Sequence, residues 1–135
     1  MKAPAEIVST MMEKDEFSRF LGMTVAEITE GYCSLSMHIS ENMTNGFGIV
    51  HGGISYSLAD STLAFAANSR GKKCVSIDTS ITHLASVQSG DTLLTKSTEI
   101  HYGKQVAVYL VDVFNQNNKR IAHFKGTVKI SENSW

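Results

Sequence analysis

The chain has 135 residues, 42% of them hydrophobic, with a formal net charge of −1. That is one domain (residues 1–135) with enough apolar content for a real core, and its near-neutral balance excludes a broad basic field for nucleic acid or an anionic membrane. Two cysteines, Cys33 and Cys74, are too few for a disulfide framework, and no apolar run approaches the roughly 18 residues that a bilayer span needs.

The first residues, M-K-A-P-A-E-I-V, lack the apolar stretch of a secretory leader, so a cytoplasmic setting with free thiols is expected. Residues 1–21 form an N-terminal helical segment. Within it, residues 5–21 place Ile7, Val8, Met11, Met12, Phe20 and Leu21 at helical spacing, with Glu13, Lys14, Asp15 and Glu16 between them. An amphipathic helix on the domain edge follows from that spacing. Cys33, Leu35, Met37 and Ile39 then alternate with Ser34, Ser36, His38 and Ser40, the pattern of a half-buried strand.

The most informative stretch is Asn45 to Asp60, N-G-F-G-I-V-H-G-G-I-S-Y-S-L-A-D. An Asn-Gly loop leads through His51-Gly52-Gly53 into a helix-like run from Gly53 to Asn68 whose one charge is Asp60. A helix that is apolar or small all round belongs in the interior. A lone carboxylate midway along it is costly unless something uses it. The glycines leave backbone N–H groups open at the helix N-terminus, where negative charge is favoured. Carboxylate, polar loop and bare donors together point to acyl chemistry.

The remainder is β-type. Val75, Ile77 and Ile81 alternate with Ser76, Asp78 and Ser80; Thr92–Tyr102 and Gln105–Phe114 flank Gly103-Lys104, a hairpin signal. Asn115–Asn118 makes a further turn, and Arg120–Ile130 is the last strand. A helix, a strand region, a long buried helix and four strands in a meander predict an α+β fold with an antiparallel sheet curved around the helix. One small sheet seldom covers every side of a helix, so a second subunit is expected to complete the burial.

The ordered set N-G-x(4)-H-G-G-x(6)-D, S-G-D at 89–91, G-K-Q at 103–105 and H-F-K-G-T at 123–127 resembles the hotdog-fold acyl-CoA thioesterases, and among them the phenylacetate-degradation (PaaI-type) subgroup. The resemblance covers about residues 15 to 130. It implies hydrolysis of an acyl-CoA to free acid and CoA without metal or organic cofactor. It also implies homodimers with a continuous ten-stranded sheet, commonly assembled into tetramers. Asp60 matches the catalytic carboxylate, and Gly52 the glycine whose N–H polarises the thioester carbonyl. Asn45 and His51 match polar residues that position water and thioester. Gly53, Gly90 and Lys104 fall in the matched motifs and are assigned, with His83, to substrate binding. Many relatives carry Arg-Pro where this chain has Ala85-Ser86, and an aromatic where it has His83.

The chemistry fits those residue types. One oxyanion donor is worth ~3–4 kcal/mol of barrier. Asp60 would act as general base on water or as nucleophile through an anhydride, and the residues leave both open. Gly52 and Asp60 are eight residues apart, hence ~12 Å along one helix. Too far apart to touch one thioester carbon, they imply a site shared across a dimer interface, two per dimer. His83 shares parity with Val75, Ile77 and Ile81 and would face inward to line an acyl pocket, whereas His38 and His101 are expected in solvent. The phosphates of CoA would draw on Arg70, Lys72, Lys73, Lys104 or Arg120, with Lys104 foremost.

Structural alternatives stand beside these readings. Asp60 would bond Ser57 or Ser61, Gly52-Gly53 would serve tight packing, Asn45-Gly46 would be an ordinary turn, and His51 and His83 would be satisfied structural histidines. The functional rivals are a non-catalytic acyl-CoA-binding module and a hotdog hydratase or dehydratase. The second rival needs a histidine on the long helix, and there is none.

Overall fold

The long apolar run becomes the helix on which everything else is arranged. In the computed structural model, which describes residues 1–135, α3 spans Gly52–Asn68. Its face of Leu58, Ala59, Leu63, Phe65 and Ala66 is buried. The chain leaves the helix through Gly71, whose φ of 106° only glycine adopts readily. Two short helices precede it, α1 (Pro4–Lys14) and α2 (Glu16–Phe20). The strands are β1 (Thr24–Thr29), β2 (Tyr32–His38), β3 (Lys72–His83), β4 (Thr92–Tyr102), β5 (Val106–Phe114) and β6 (Arg120–Ser134).

These strands form one six-stranded antiparallel sheet in the order β1-β2-β4-β5-β6-β3. Ala107, Tyr109, Val111 and Val113 of β5 point at α3, as do Ala122, Phe124, Gly126 and Val128 of β6. Gly126 lets the helix settle close, because a Cβ there would overlap Leu63 Cδ2. This is the α+β hotdog arrangement of a central helix held in a curved sheet, and a single chain contributes six strands to it.

The structure departs from the sequence reading at four places. The N-terminal segment is broken at Asp15, whose Oδ1 accepts from the Ser18 N–H at 3.0 Å and caps α2. β1 carries no alternation because five of its six residues are exposed. Only β4, β5 and β6 form a meander; β3 lies at the far edge, beside β6. A bulge between Ser76 and Asp78 shifts the parity of β3. Ile81 and His83 therefore share the inner face with Cys74 and Ser76, while Val75 and Ile77 are 68% and 59% exposed.

β3 is a twelve-residue outer strand with one edge unpaired and most residues exposed. Such an edge templates pairing with another chain unless something blunts it. At the other side of the sheet, β2 and β4 pair only at Ser36–His38 with Thr92–Leu94. Beyond that they splay, and hydroxyls fill the gap. Thr95 Oγ1 accepts from the Leu35 N–H and Ser97 Oγ from the Cys33 N–H, both at 2.9 Å, while Thr62 Oγ1 on α3 meets Thr95 Oγ1 at 2.7 Å.

Candidate active site

The start of α3 is built by the loop before it. The Val50 N–H donates to the Val87 carbonyl at 2.7 Å and the His51 N–H to the Met43 carbonyl at 2.8 Å, which fixes the direction of the helix. His51 is the N-cap, its Nδ1 accepting from the Gly53 N–H at 2.9 Å. The Ile54 N–H donates to the His51 carbonyl at 2.9 Å. Of these first donors, only the Gly52 N–H has no protein partner. One turn away, Asn45 Oδ1 accepts from the Phe47 N–H at 2.9 Å, which leaves the Asn45 Nδ2 protons free.

Gly52 and Asn45 open into a cleft of about 400 Å³, with aliphatic walls that include Ile49, Val87 and Ile121. His83 enters it from the end of β3. Its Nε2 lies 3.1 Å from where a Cβ on Gly52 would stand, so a larger residue there would press on the imidazole. The buried Ser55, one helical turn after Gly52, places its Oγ 3.5 Å from His83 Nδ1 and 3.2 Å from the Gly52 carbonyl. No lining residue is acidic. The cleft presents hydrogen-bond donors and an imidazole but no carboxylate.

Asp60 stands elsewhere. It lies eight residues further along α3, ~12 Å by helical rise, half-buried on a strip of the helix that the sheet does not cover. It makes no hydrogen bond or ion pair within the chain. The hydroxyls that a structural role would have used are engaged otherwise: Ser57 Oγ donates to the Gly53 carbonyl at 2.7 Å, and Ser61 Oγ meets Ser18 Oγ at 2.8 Å. Desolvation pushes the Asp60 carboxyl above its ordinary value.

The remaining candidates fall in three other places. His51 and Gly53 line a separate depression with Phe17 and Ser57. Gly90 forms a turn at φ 94°, its N–H donating to the Ile39 carbonyl at 2.8 Å, and does not line the cleft. Lys104, in the β4–β5 hairpin, faces a depression of about 700 Å³ that also gathers Lys72 and Lys129. None of these three lysines is ion-paired. Arg70 and Arg120 are engaged instead: Arg70 with Glu99 at 2.7 Å and Glu30 at 3.5 Å, Arg120 with Asp112 at 3.3 Å. The lysine depression lies at the Lys72 end of β3 and the cleft at the His83 end, about 36 Å apart along the strand.

Sequence reasoning missed Ser55, although its spacing of three from Gly52 puts it on the same helix face. It also missed that Lys72 and Lys129 converge on Lys104, since three segments distant in sequence supply them. Burial pushes the Cys33 thiol up to about 12 and the Cys74 thiol up to about 11, which disfavours the thiolate in both.

Comparison with known proteins bears on the family. Residues 47–122 match the family model described as the thioesterase superfamily. The chain is 36% identical over 116 residues to the acyl-coenzyme A thioesterase PaaI of Escherichia coli, covering 86% of this chain and 83% of that one. The solved structure of that PaaI protein, from the phenylacetic acid degradation operon, superposes with a TM-score of 0.95 over 97% of this chain and 95% of the other. Human acyl-coenzyme A thioesterase 13 is 31% identical over 126 residues, 90% of each chain. A Streptococcus mutans protein solved bound to acetyl CoA is 26% identical, with a TM-score of 0.82 over 86% of this chain and 94% of that one. With this fold and these matches, the chain belongs to the thioesterase superfamily.

Proposed function

We propose that the protein hydrolyses acyl-CoA thioesters to free acid and CoA, at sites each assembled from two subunits. One observation carries this reading. The donor cleft has no carboxylate, and the one carboxylate on α3 sits unpartnered ~12 Å down the same helix. A two-fold axis pairing β3 edge to edge with its copy would run the two strands antiparallel. The His83 end of one subunit would then lie beside the Lys72 end of the other, and the open strips of the two α3 helices would face each other. Asp60 of the partner subunit would reach the Gly52 end, and the partner's lysine depression would lie where the phosphates of CoA emerge.

In that arrangement the thioester carbonyl oxygen accepts the Gly52 N–H, and the Asn45 amide orients carbonyl or water. Asp60 takes a proton from water, or attacks the carbonyl itself. His51 and Gly53 act by position: by occupying the Gly53 N–H, the imidazole leaves Gly52 as the free donor and fixes the start of the helix. The aliphatic walls suit an apolar acyl group, an aryl-acetyl or medium-chain one. Gly90 supports the substrate side only through its loop. A tetramer is the further assembly, supported by Phe17 and Phe20 on the helical side, which stay 57% and 80% exposed. A cytoplasmic setting is supported by the two unbridged cysteines.

Thiol release from a panel of acyl-CoAs by the parent and by Asp60→Ala tests the proposal. Turnover that falls by about two orders of magnitude or more in the variant is the expected result. Turnover that survives the substitution would move the chemistry away from Asp60. Tight acyl-CoA binding by the parent without turnover would make this a binding module.

A further inference from the structure

We propose that His83 is a second oxyanion donor, its Nε2–H sharing with the Gly52 N–H the negative charge that develops on the thioester oxygen. The assignment rests on the thioesterase reading above and adds to it a catalytic group from β3.

Position is the first support. With Nε2 3.1 Å from the place of a Gly52 Cβ, the ring edge stands over the α-carbon whose own N–H is the free donor. An oxygen accepting that N–H would have the ring edge as its neighbour. Protonation state is the second support. The buried Ser55 hydroxyl donates to the Gly52 carbonyl at 3.2 Å, and its oxygen also lies 3.5 Å from His83 Nδ1. When the hydroxyl turns its proton from that carbonyl to Nδ1, the imidazole proton sits on Nε2, facing the cleft. Negative charge growing on the substrate oxygen selects that tautomer, because it alone adds a donor where the charge develops. The cleft itself supplies the third support: none of its lining side chains is a carboxylate, so no anion of the chain competes there for the Nε2 proton.

The step balances without His83 losing its proton. Water adds to the carbonyl carbon and gives its proton to Asp60. The carbonyl π electrons move to oxygen, which becomes the oxyanion held by Gly52 N–H and His83 Nε2–H. As those electrons return, the C–S bond breaks, and CoA leaves as a thiolate that takes the proton back from Asp60. The products are the free acid and CoA.

Three substitutions separate donor from filler. His83→Phe keeps an aromatic ring without the donor, and should lower kcat by about 10²-fold with KM changed less than about 3-fold. His83→Gln places an amide N–H where Nε2 was and should recover most of that loss. His83→Asn falls one methylene short and should resemble the phenylalanine variant. Melting temperatures of all three, beside the parent, check that the fold is intact. The proposal is overturned if His83→Phe turns over at the parental rate, if only KM rises, or if the glutamine variant is as impaired as the phenylalanine one. Each of those results leaves the thioesterase reading standing, provided the parent cleaves the panel. A parent that cleaves no acyl-CoA overturns that reading together with this one.

Discussion

If Gly52 and Asp60 serve one reaction from different subunits, two inactive variants should repair each other. Asn45→Ala damages the donor cleft, and Asp60→Asn removes the base; each homodimer then has two defective sites. A heterodimer of one Asn45→Ala and one Asp60→Asn subunit is different. One of its sites takes both its intact cleft and its intact carboxylate from opposite chains, and the other site carries both lesions. The ~12 Å between Gly52 and Asp60 along one helix, against the ~3 Å over which a base and a donor must meet a reacting atom, sets the prediction. Subunits carrying different affinity tags are co-expressed, the doubly tagged species is isolated, and thiol release is followed under saturating acyl-CoA. The expected rate is about half that of the parent, one working site of two, against homodimers each lower by about 10²-fold or more. A doubly tagged species no more active than the two homodimers would refute the shared site and place the whole reaction within one chain.

Three further outcomes follow from the geometry. Because desolvation raises the folded Asp60 carboxyl above the ordinary 3.8, folding favours its protonated form. The associated stability is present below the ordinary value and lost as pH rises through the raised one, so Asp60→Asn should match the parent's melting temperature in acid and exceed it at pH 8. Lys104→Ala should raise KM more than it lowers kcat, with the effect shrinking as salt is added, when initial rates are compared at low and high ionic strength. Gly126→Ala forces a Cβ onto Leu63 and to 3.1 Å from Phe124 Cε1, overpacking worth about 2 kcal/mol and about 7 °C of melting temperature by calorimetry.

Legibility in the sequence tracked how local each feature is. The buried helix was plain because a run from Gly53 to Asn68 with one charge has no other use. The separation of Gly52 from Asp60 followed from helical rise alone. The inward placement of His83 came out right on a faulty premise: Val75 and Ile77, whose parity was used, are exposed, because one bulge residue changes which side chains share a face. β1 stayed hidden since an exposed strand has no apolar rhythm. The path of β3 to the far edge, and the meeting of Lys72, Lys104 and Lys129, depend on pairings between distant segments, which no window along the chain reports. The break at Asp15 was readable in principle, since Asp-x-x-Ser is a capping pattern, but the apolar spacing on both sides masked it.

The splayed junction between β2 and β4 means that the shell around α3 is closed on one side by three hydroxyl groups rather than by a peptide ladder. Side chains that stand in for backbone can only be replaced by their own kind. A valine at position 95 has the right shape, yet it would strand the Leu35 N–H in a dry interior. The β1–β2 ribbon is thus fastened separately from the β4–β6 platform, like a hatch on its own catches. Amide protons of Cys33 and Leu35 should exchange with solvent ahead of those in β5, through openings that leave the unpaired edge of β3 undisturbed.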